Sequence, residues 1–204
     1  MKPPSSYTRT AVDFLRHGEV DGGEYFRGIT DDPLTEKGWQ QMFQQCSGQH
    51  WQVVITSPLR RCLSFASAWG QEQKTEVVVE PDWREVDFGV WEGKSAEEIE
   101  RLQPGALEGY YADPAGFTPP HAESYTCFVT RVQQAWESLL MNYGGQNVLV
   151  VTHAGVIRQL FSTLLAIPVR HSFHIEVPHA CLTRFSCFDD TAGRFVQLNS
   201  HRPI

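Results

Sequence analysis

The segment WQVVITSPLRRCLSFASAWG, residues 51–70, decides how the rest of the chain is read. Its first part, WQVVITS, is β-branched and nearly all apolar, without the alternation of a half-exposed strand. Such a run is a strand buried on both faces, as in a parallel sheet covered by helices. Pro58 then stands where a helix begins, since the first-turn N–H has no intrahelical partner, and Gly70 marks its end. Strand running into helix is one β-α unit.

The same unit recurs on both sides. TAVDFLR (10–16) reads as an earlier strand, followed by PLTEKGWQQMFQQC. There Leu34, Trp39, Met42, Phe43 and Cys46 fall near helical spacing, with Thr35 as the cap. EVVVEP (76–81) is a third strand, and SAEEIERL (95–102) carries a capping box of Ser95 with Glu98. Residues 103–122, rich in Pro and Gly, read as a long loop. A long amphipathic helix over 123–143 carries Phe128, Val132, Ala135, Trp136, Leu139 and Leu140 on one stripe. NVLVVTH (147–153) is another buried strand, and GVIRQLFSTLLA (155–166) another helix. SFHIEV, CLTRFSCF and RFVQLNS follow as strands, the last two flanking the hairpin signal DDTAG. The pattern predicts an α/β three-layer sandwich: a mostly parallel central sheet, helices on both faces and an antiparallel edge. No repeat and no linker appears, so residues 1–204 read as one domain with a loose lead-in over 1–9.

Composition narrows the function. The 204 residues are 41% apolar with a formal net charge of −7 and no block of like charges. That argues against a nucleic-acid groove or a polybasic membrane patch. No apolar run approaches the ~18 residues of a membrane span, and MKPPSSYTRT has no apolar signal core. Five cysteines without a CxxC pair read as reduced thiols, hence a cytoplasmic protein. The oligomeric state is not written in the sequence.

In a parallel sheet, ligands bind beyond the carboxyl ends of the strands. Three strands end there on chemically capable residues: Arg16 and His17; Thr56 and Ser57, with Arg60 and Arg61 on the next helix; Thr152 and His153. REVDFGVWEG (84–93) adds Glu85. Neutral imidazole is a nucleophile, guanidinium groups grip a phosphoryl group by paired donors, and a carboxylic acid can protonate a leaving oxygen. Together they suit covalent phosphoryl transfer through phosphohistidine, with no metal or cofactor required. HSFHIEVPH (171–179) fits no zinc spacing, and strand alternation sets His171 and His174 on opposite faces.

With RHGE (16–19), DDPLTEKG (31–38), SPLRRC (57–62), REVDFG and THAG (152–155) in this order, the chain resembles the histidine phosphatase superfamily, in its phosphoglycerate-mutase-like branch, over residues 11–165. The resemblance implies His17 as the phosphorylated nucleophile, Arg16 and Arg61 as phosphate ligands, Glu85 as proton donor and His153 as the second histidine on the phosphate. It implies that Gly18 orients the nucleophilic ring through its carbonyl, and it makes Arg27 a candidate substrate contact. Mutases of this branch follow RHGE with a small residue and then Trp-Asn. Here the run is RHGEVDGGEYFRG, and the mutase insert between Glu85 and His153 is missing. The expectation is a phosphatase acting on a small phosphate ester. DFGVWEG and HAESYTCFVTRV are similar to the α-ribazole phosphatase type, which makes α-ribazole 5'-phosphate a candidate. Residues 103–122, with the loop 21–30, would form a lid. Two alternatives stay open: phosphoglycerate-mutase-type transfer, and a non-catalytic phospho-ligand binding protein.

Overall fold

Short apolar strands separated by amphipathic helices assemble, in the computed structural model, into one six-stranded sheet; residues 7–191 and 193–204 are described. The strands are β1 (Thr8–Arg16), β2 (Val53–Thr56), β3 (Glu76–Val79), β4 (Asn147–Thr152), β5 (Leu182–Asp190) and β6 (Gly193–Arg202). Their order is β3-β2-β4-β1-β5-β6. The first four are parallel, and β5 and β6 add the antiparallel edge.

Successive side chains on a strand point to opposite faces. Val12, Phe14, Val148 and Val150 therefore meet one layer, built on α5 (Tyr125–Tyr143) and α6 (Ala154–Leu165). Leu15, Val54, Leu149 and Val151 meet the other, built on α1 (Glu36–Cys46) and α2 (Arg60–Gln73). The predicted α5 stripe is buried throughout. Phe14 sits at the centre of its layer, edge-on to Trp83 and Phe185. A smaller cluster of Trp91, Ile99 and Ala106 lies beneath Phe26, Phe88, Tyr110 and Phe117. It is carried by α3 (Ala96–Leu102) and α4 (Ala106–Ala112). The caps read from sequence are present: Thr35 accepts from the Gly38 N–H, and Ser95 and Glu98 form the reciprocal box.

Four expectations are corrected. The lead-in does not extend to residue 9, because Thr8 and Arg9 already pair with Asp189 and Phe188; residues 1–6 lie outside the described residues. Helix α2 starts at Arg60 and runs through Gly70 to Gln73, ending where Lys74 takes a left-handed conformation. Residues 103–122 contain α4, which Gly105 starts at φ 79°. SFHIEV is not a strand: α7 (Val169–Ser172) and turns replace it, and the His171 and His174 rings stack at 5.7 Å instead of facing apart.

Candidate active site

The register of the sheet builds the floor of the site. Arg16 pairs with Thr152, and Thr56 with Val151. The next residues along, His17, His153 and Ser57, therefore leave the sheet side by side. The His17 N–H donates to the Thr152 carbonyl, and the His17 carbonyl accepts from Ala180, so its backbone is fixed from both sides. Gly18 permits a close approach of the following turn: a Cβ there would strike the backbone of Gly38 at the start of α1.

His17 is 6% exposed, and its Nδ1 lies 2.8 Å from the Gly18 carbonyl oxygen. A carbonyl only accepts, so Nδ1 carries the proton and Nε2 the lone pair. Burial, then the charges of Arg61 and Arg16, hold this imidazole well below the usual histidine range. The His153 ring is centred 5.3 Å away, and it too is held neutral by burial and Arg61. Arg61 Nε donates to His153 Nδ1 at 3.3 Å, which leaves His153 Nε2–H to donate to Ser57 Oγ at 2.8 Å.

Arg61 is fully buried without a carboxylate partner. Its Nη1 donates to the Thr30 carbonyl at 2.6 Å and its Nη2 to the Gly28 carbonyl at 2.7 Å. Loop 28–30 is in turn gathered by Glu92. That carboxylate accepts from the N–H groups of Gly28, Ile29, Thr30 and Phe88 at 3.0–3.1 Å, and from the Thr30 hydroxyl at 2.5 Å.

Glu85 has a cationic counterpart to that brace. Arg131, buried on α5, donates to the carbonyls of Asp82, Arg84 and Glu85 at 2.7–3.0 Å and forms a bidentate pair with Glu123. The Thr152 hydroxyl ties β4 to the same segment through the Trp83 carbonyl. The Glu85 carboxylate accepts from Val86 N–H and, at 3.0 Å, from Gly155 N–H. A Cβ on Gly155 would collide with it.

A cleft of about 740 Å³ opens over this floor. Arg16, His17, Arg27 and Glu85 line it, as do Phe26, Phe88, Tyr110, Phe117 and Phe173 above. Arg16 Nη1 donates to the Val177 carbonyl, while its buried Nε has no partner. Burial brings Arg16 down to about 10, with Glu85 pulling it up and Arg158 and Arg61 pushing it down, so it stays charged at neutral pH. Arg27 reaches the cleft, but its Nε is paired with Asp32 at 2.8 Å and its Nη2 with the carbonyls of Asp21 and Gly23. It braces its own loop. Cys62 lies 3.6 Å from His153 Nε2, yet burial pushes its thiol up to about 12, so it offers no thiolate.

Sequence reasoning did not single out Glu92, Arg131 or Arg158, and weighed His179 only as part of HSFHIEVPH. Glu92 and Arg131 act across 46 to 64 residues of sequence, which no local pattern marks. The His179 ring is centred 5.7 Å from that of His17. Among the described residues no three His, Cys, Asp or Glu side chains gather as a metal site does, and no helix is long and apolar enough to cross a membrane.

Comparison with known proteins adds the family. The model of the histidine phosphatase superfamily (branch 1) matches residues 12–201. A bifunctional protein of Mycobacterium tuberculosis is 29% identical over 202 residues, covering 95% of this chain and 55% of that one. The chain thus spans just over half the length of the first curated relatives it matches. The adenosylcobalamin/α-ribazole phosphatase of Escherichia coli is 26% identical over 174 residues, covering 82% of this chain and 85% of that one. The native structure of a mycobacterial glucosyl-3-phosphoglycerate phosphatase superposes with a TM-score of 0.83 at 25% identity, over 95% of this chain and 98% of that one.

Proposed function

The chain belongs to the histidine phosphatase superfamily, and from that premise we propose that it hydrolyses a small phosphate ester through a phosphohistidine at His17. One observation carries the reading: a buried imidazole, neutral beside two guanidinium groups, with Nδ1 fixed as donor and Nε2 left unprotonated in a cleft-lining residue.

The phosphoryl group is met by Arg16, through its unpaired Nε; Arg61 supplies its charge from beneath, and His153 reaches the anion by turning its Nε2–H from Ser57 Oγ. Arg16 and the His17 ring are held before substrate arrives, so little reorganisation of those two groups opposes the transition state. Nε2 of His17 attacks phosphorus; the P–N bond forms as the P–O bond to the alcohol breaks. Glu85 delivers a proton to the departing oxygen. Water then attacks the phosphohistidine, Glu85 takes its proton, and inorganic phosphate leaves with the imidazole restored. The relatives named as phosphatases support this choice over mutase chemistry. So does the absence from the sequence of the mutase insert.

The rings over the floor receive a flat or apolar body. α-Ribazole 5'-phosphate, a ribose phosphate carrying a flat heterocycle, fits that description, and so do other aryl-bearing esters. We read the chain as a single domain around one sheet, and its five free cysteines, four of them buried, support a cytoplasmic location.

Rapid acid-base quench with a ³²P-labelled ester tests the mechanism. Base-stable, acid-labile label on the wild-type protein, absent from His17→Ala, is the expected result. Label that survives in His17→Ala overturns the assignment. With 3-phosphoglycerate and its bisphosphate primer, free phosphate is expected; an isomerised product would make the protein a mutase.

A further inference from the structure

One turn holds both Arg16 and His17. Residues 176–181, EVPHAC, run between α7 and β5 and meet these two by three hydrogen bonds. The Arg16 N–H donates to the Cys181 carbonyl at 3.0 Å, and the Ala180 N–H to the His17 carbonyl at 3.1 Å. The third bond is to a side chain: Arg16 Nη1 donates to the Val177 carbonyl at 2.7 Å. A guanidinium is planar, so an acceptor that fixes one nitrogen limits where the others point. The Val177 carbonyl thus sets the tilt of the plane that carries the unpaired Arg16 Nε.

That carbonyl needs an anchor of its own. The Val177 side chain is buried in the core, which places the residue but leaves the rotation of its peptide planes to hydrogen bonds. The bond inside the turn, from the Cys181 N–H to the Pro178 carbonyl, lies beyond Val177. The anchor comes from the far edge of the sheet. His201, near the end of β6, donates from Nε2 to the Glu176 carbonyl at 2.7 Å. A carbonyl only accepts, so Nε2 carries the proton and Nδ1 is left to accept the Thr183 hydroxyl at 2.8 Å. Thr183 is fully buried and stands across from His201 in the β5–β6 pair. Phe161 meets the imidazole edge-on at 5.4 Å, and Cys181 Sγ lies 3.6 Å from Nε2. His201 is no part of the cleft wall. The carbonyl it holds nevertheless belongs to the residue before Val177.

We propose that His201 is a positioning residue for phosphoryl transfer: through the Glu176 carbonyl it keeps the Val177 carbonyl, and with it the Arg16 guanidinium, in place beside His17. The proposal rests on the phosphatase reading above in taking Arg16 as a phosphoryl ligand. A histidine that only stapled β6 to β5 would support stability and leave the anion site alone.

His201→Phe keeps a ring against Phe161 and removes both hydrogen bonds; His201→Gln keeps a donor for the Glu176 carbonyl. His201→Phe is expected to lower kcat/KM about tenfold, the scale of a slightly misplaced group. The factor should be the same for p-nitrophenyl and phenyl phosphate, because the damaged contact is to the phosphoryl group and not to the alcohol. Affinity for orthovanadate, measured by calorimetry, is expected to fall about as much, and His201→Gln to recover most of both. In an Arg16→Gln background, His201→Phe is expected to cost less than about twofold, since the group it positions is gone. The same cost in both backgrounds, an unchanged affinity for orthovanadate, or a His201→Gln variant as impaired as His201→Phe overturns the proposal. A lowered Tm with unchanged kinetics does so too. If His201→Phe does not fold, Thr183→Val carries the test: orthovanadate binding weaker by about threefold supports the proposal, the scale of one indirect hydrogen bond, and no change overturns it. Failure of the wild type to turn over either ester overturns the phosphatase reading, while the orthovanadate titration still decides whether His201 places Arg16.

Discussion

On the floor of the cleft, His17, Arg61, His153 and Glu85 are buried and held by hydrogen bonds of stated direction. On the roof, Phe26, Tyr110, Phe117 and Phe173 are half-buried and hold one another by ring contacts, Trp91 stacking on Phe117 and standing edge-on to Tyr110. Hydrogen bonds to charged groups are directional and costly to leave unmade. Ring contacts tolerate displacement at a cost of about 0.5–1.5 kcal/mol. On the proposed reading the floor fixes atoms for chemistry and the roof takes up the body of the alcohol. Substitutions on the two walls should separate in kind.

The largest contrast is expected from Glu92, which touches no reacting group but braces the loop that holds Arg61. Glu92→Gln turns one of the two accepting oxygens into an NH₂ that faces part of the five donors, and removes the charge they share. Stability should fall by about 2–3 kcal/mol. kcat/KM should drop by about 10²-fold, as for a misplaced transition-state ligand. Steady-state kinetics with p-nitrophenyl phosphate and urea melts measure both. A change of less than threefold in kcat would show that Arg61 keeps its place without the brace.

A smaller effect, and of the other kind, is expected on the roof. Phe117→Ala should raise KM for an aryl ester by about three- to tenfold, the scale of a half-buried ring, with the greater share in KM. If kcat falls by more than KM rises, the division between walls fails.

The smallest effect concerns pH. Burial, then the charge of Arg16, lowers His179 from 6.5 to about 4. Between pH 6.5 and 4 the unfolded chain therefore binds more protons at this residue than the folded one. The folded state is fully favoured above pH 6.5 and loses that advantage as the pH falls toward 4. The ring is partly exposed, so solvent screening keeps the effect modest. His179→Gln should flatten the fall in Tm between pH 7 and 4.5. An unchanged slope would assign the acid sensitivity to other groups.

What the sequence made readable follows the same division. β-Branched runs ending in RH, TS and TH locate the floor because strand ends are local and the sheet register brings them level. Thr35, Ser95 and the α5 stripe are equally local. The roof was hidden for a physical reason. Helix α4 is seven residues long, sits among Pro and Gly, and is held by Trp91 and Phe173 from distant segments rather than by its own propensity. Arg158 and Glu92 carry charges that in sequence look like solvated surface. Only the fold shows that one leaves a buried Nε without a hydrogen-bond partner and the other gathers five donors.

The hydrogen bonds from Arg61 to the carbonyls of Gly28 and Thr30 also decide which side of the cleft can swing. To pull loop 28–30 outward is to unhook Arg61, the cation on which the proposed chemistry draws. That side is a doorpost, not a leaf. Segment 103–122 has ties of its own, from the Val90 N–H to the Pro120 carbonyl and from Trp91 Nε1–H to Gln103, but neither reaches a residue of the floor.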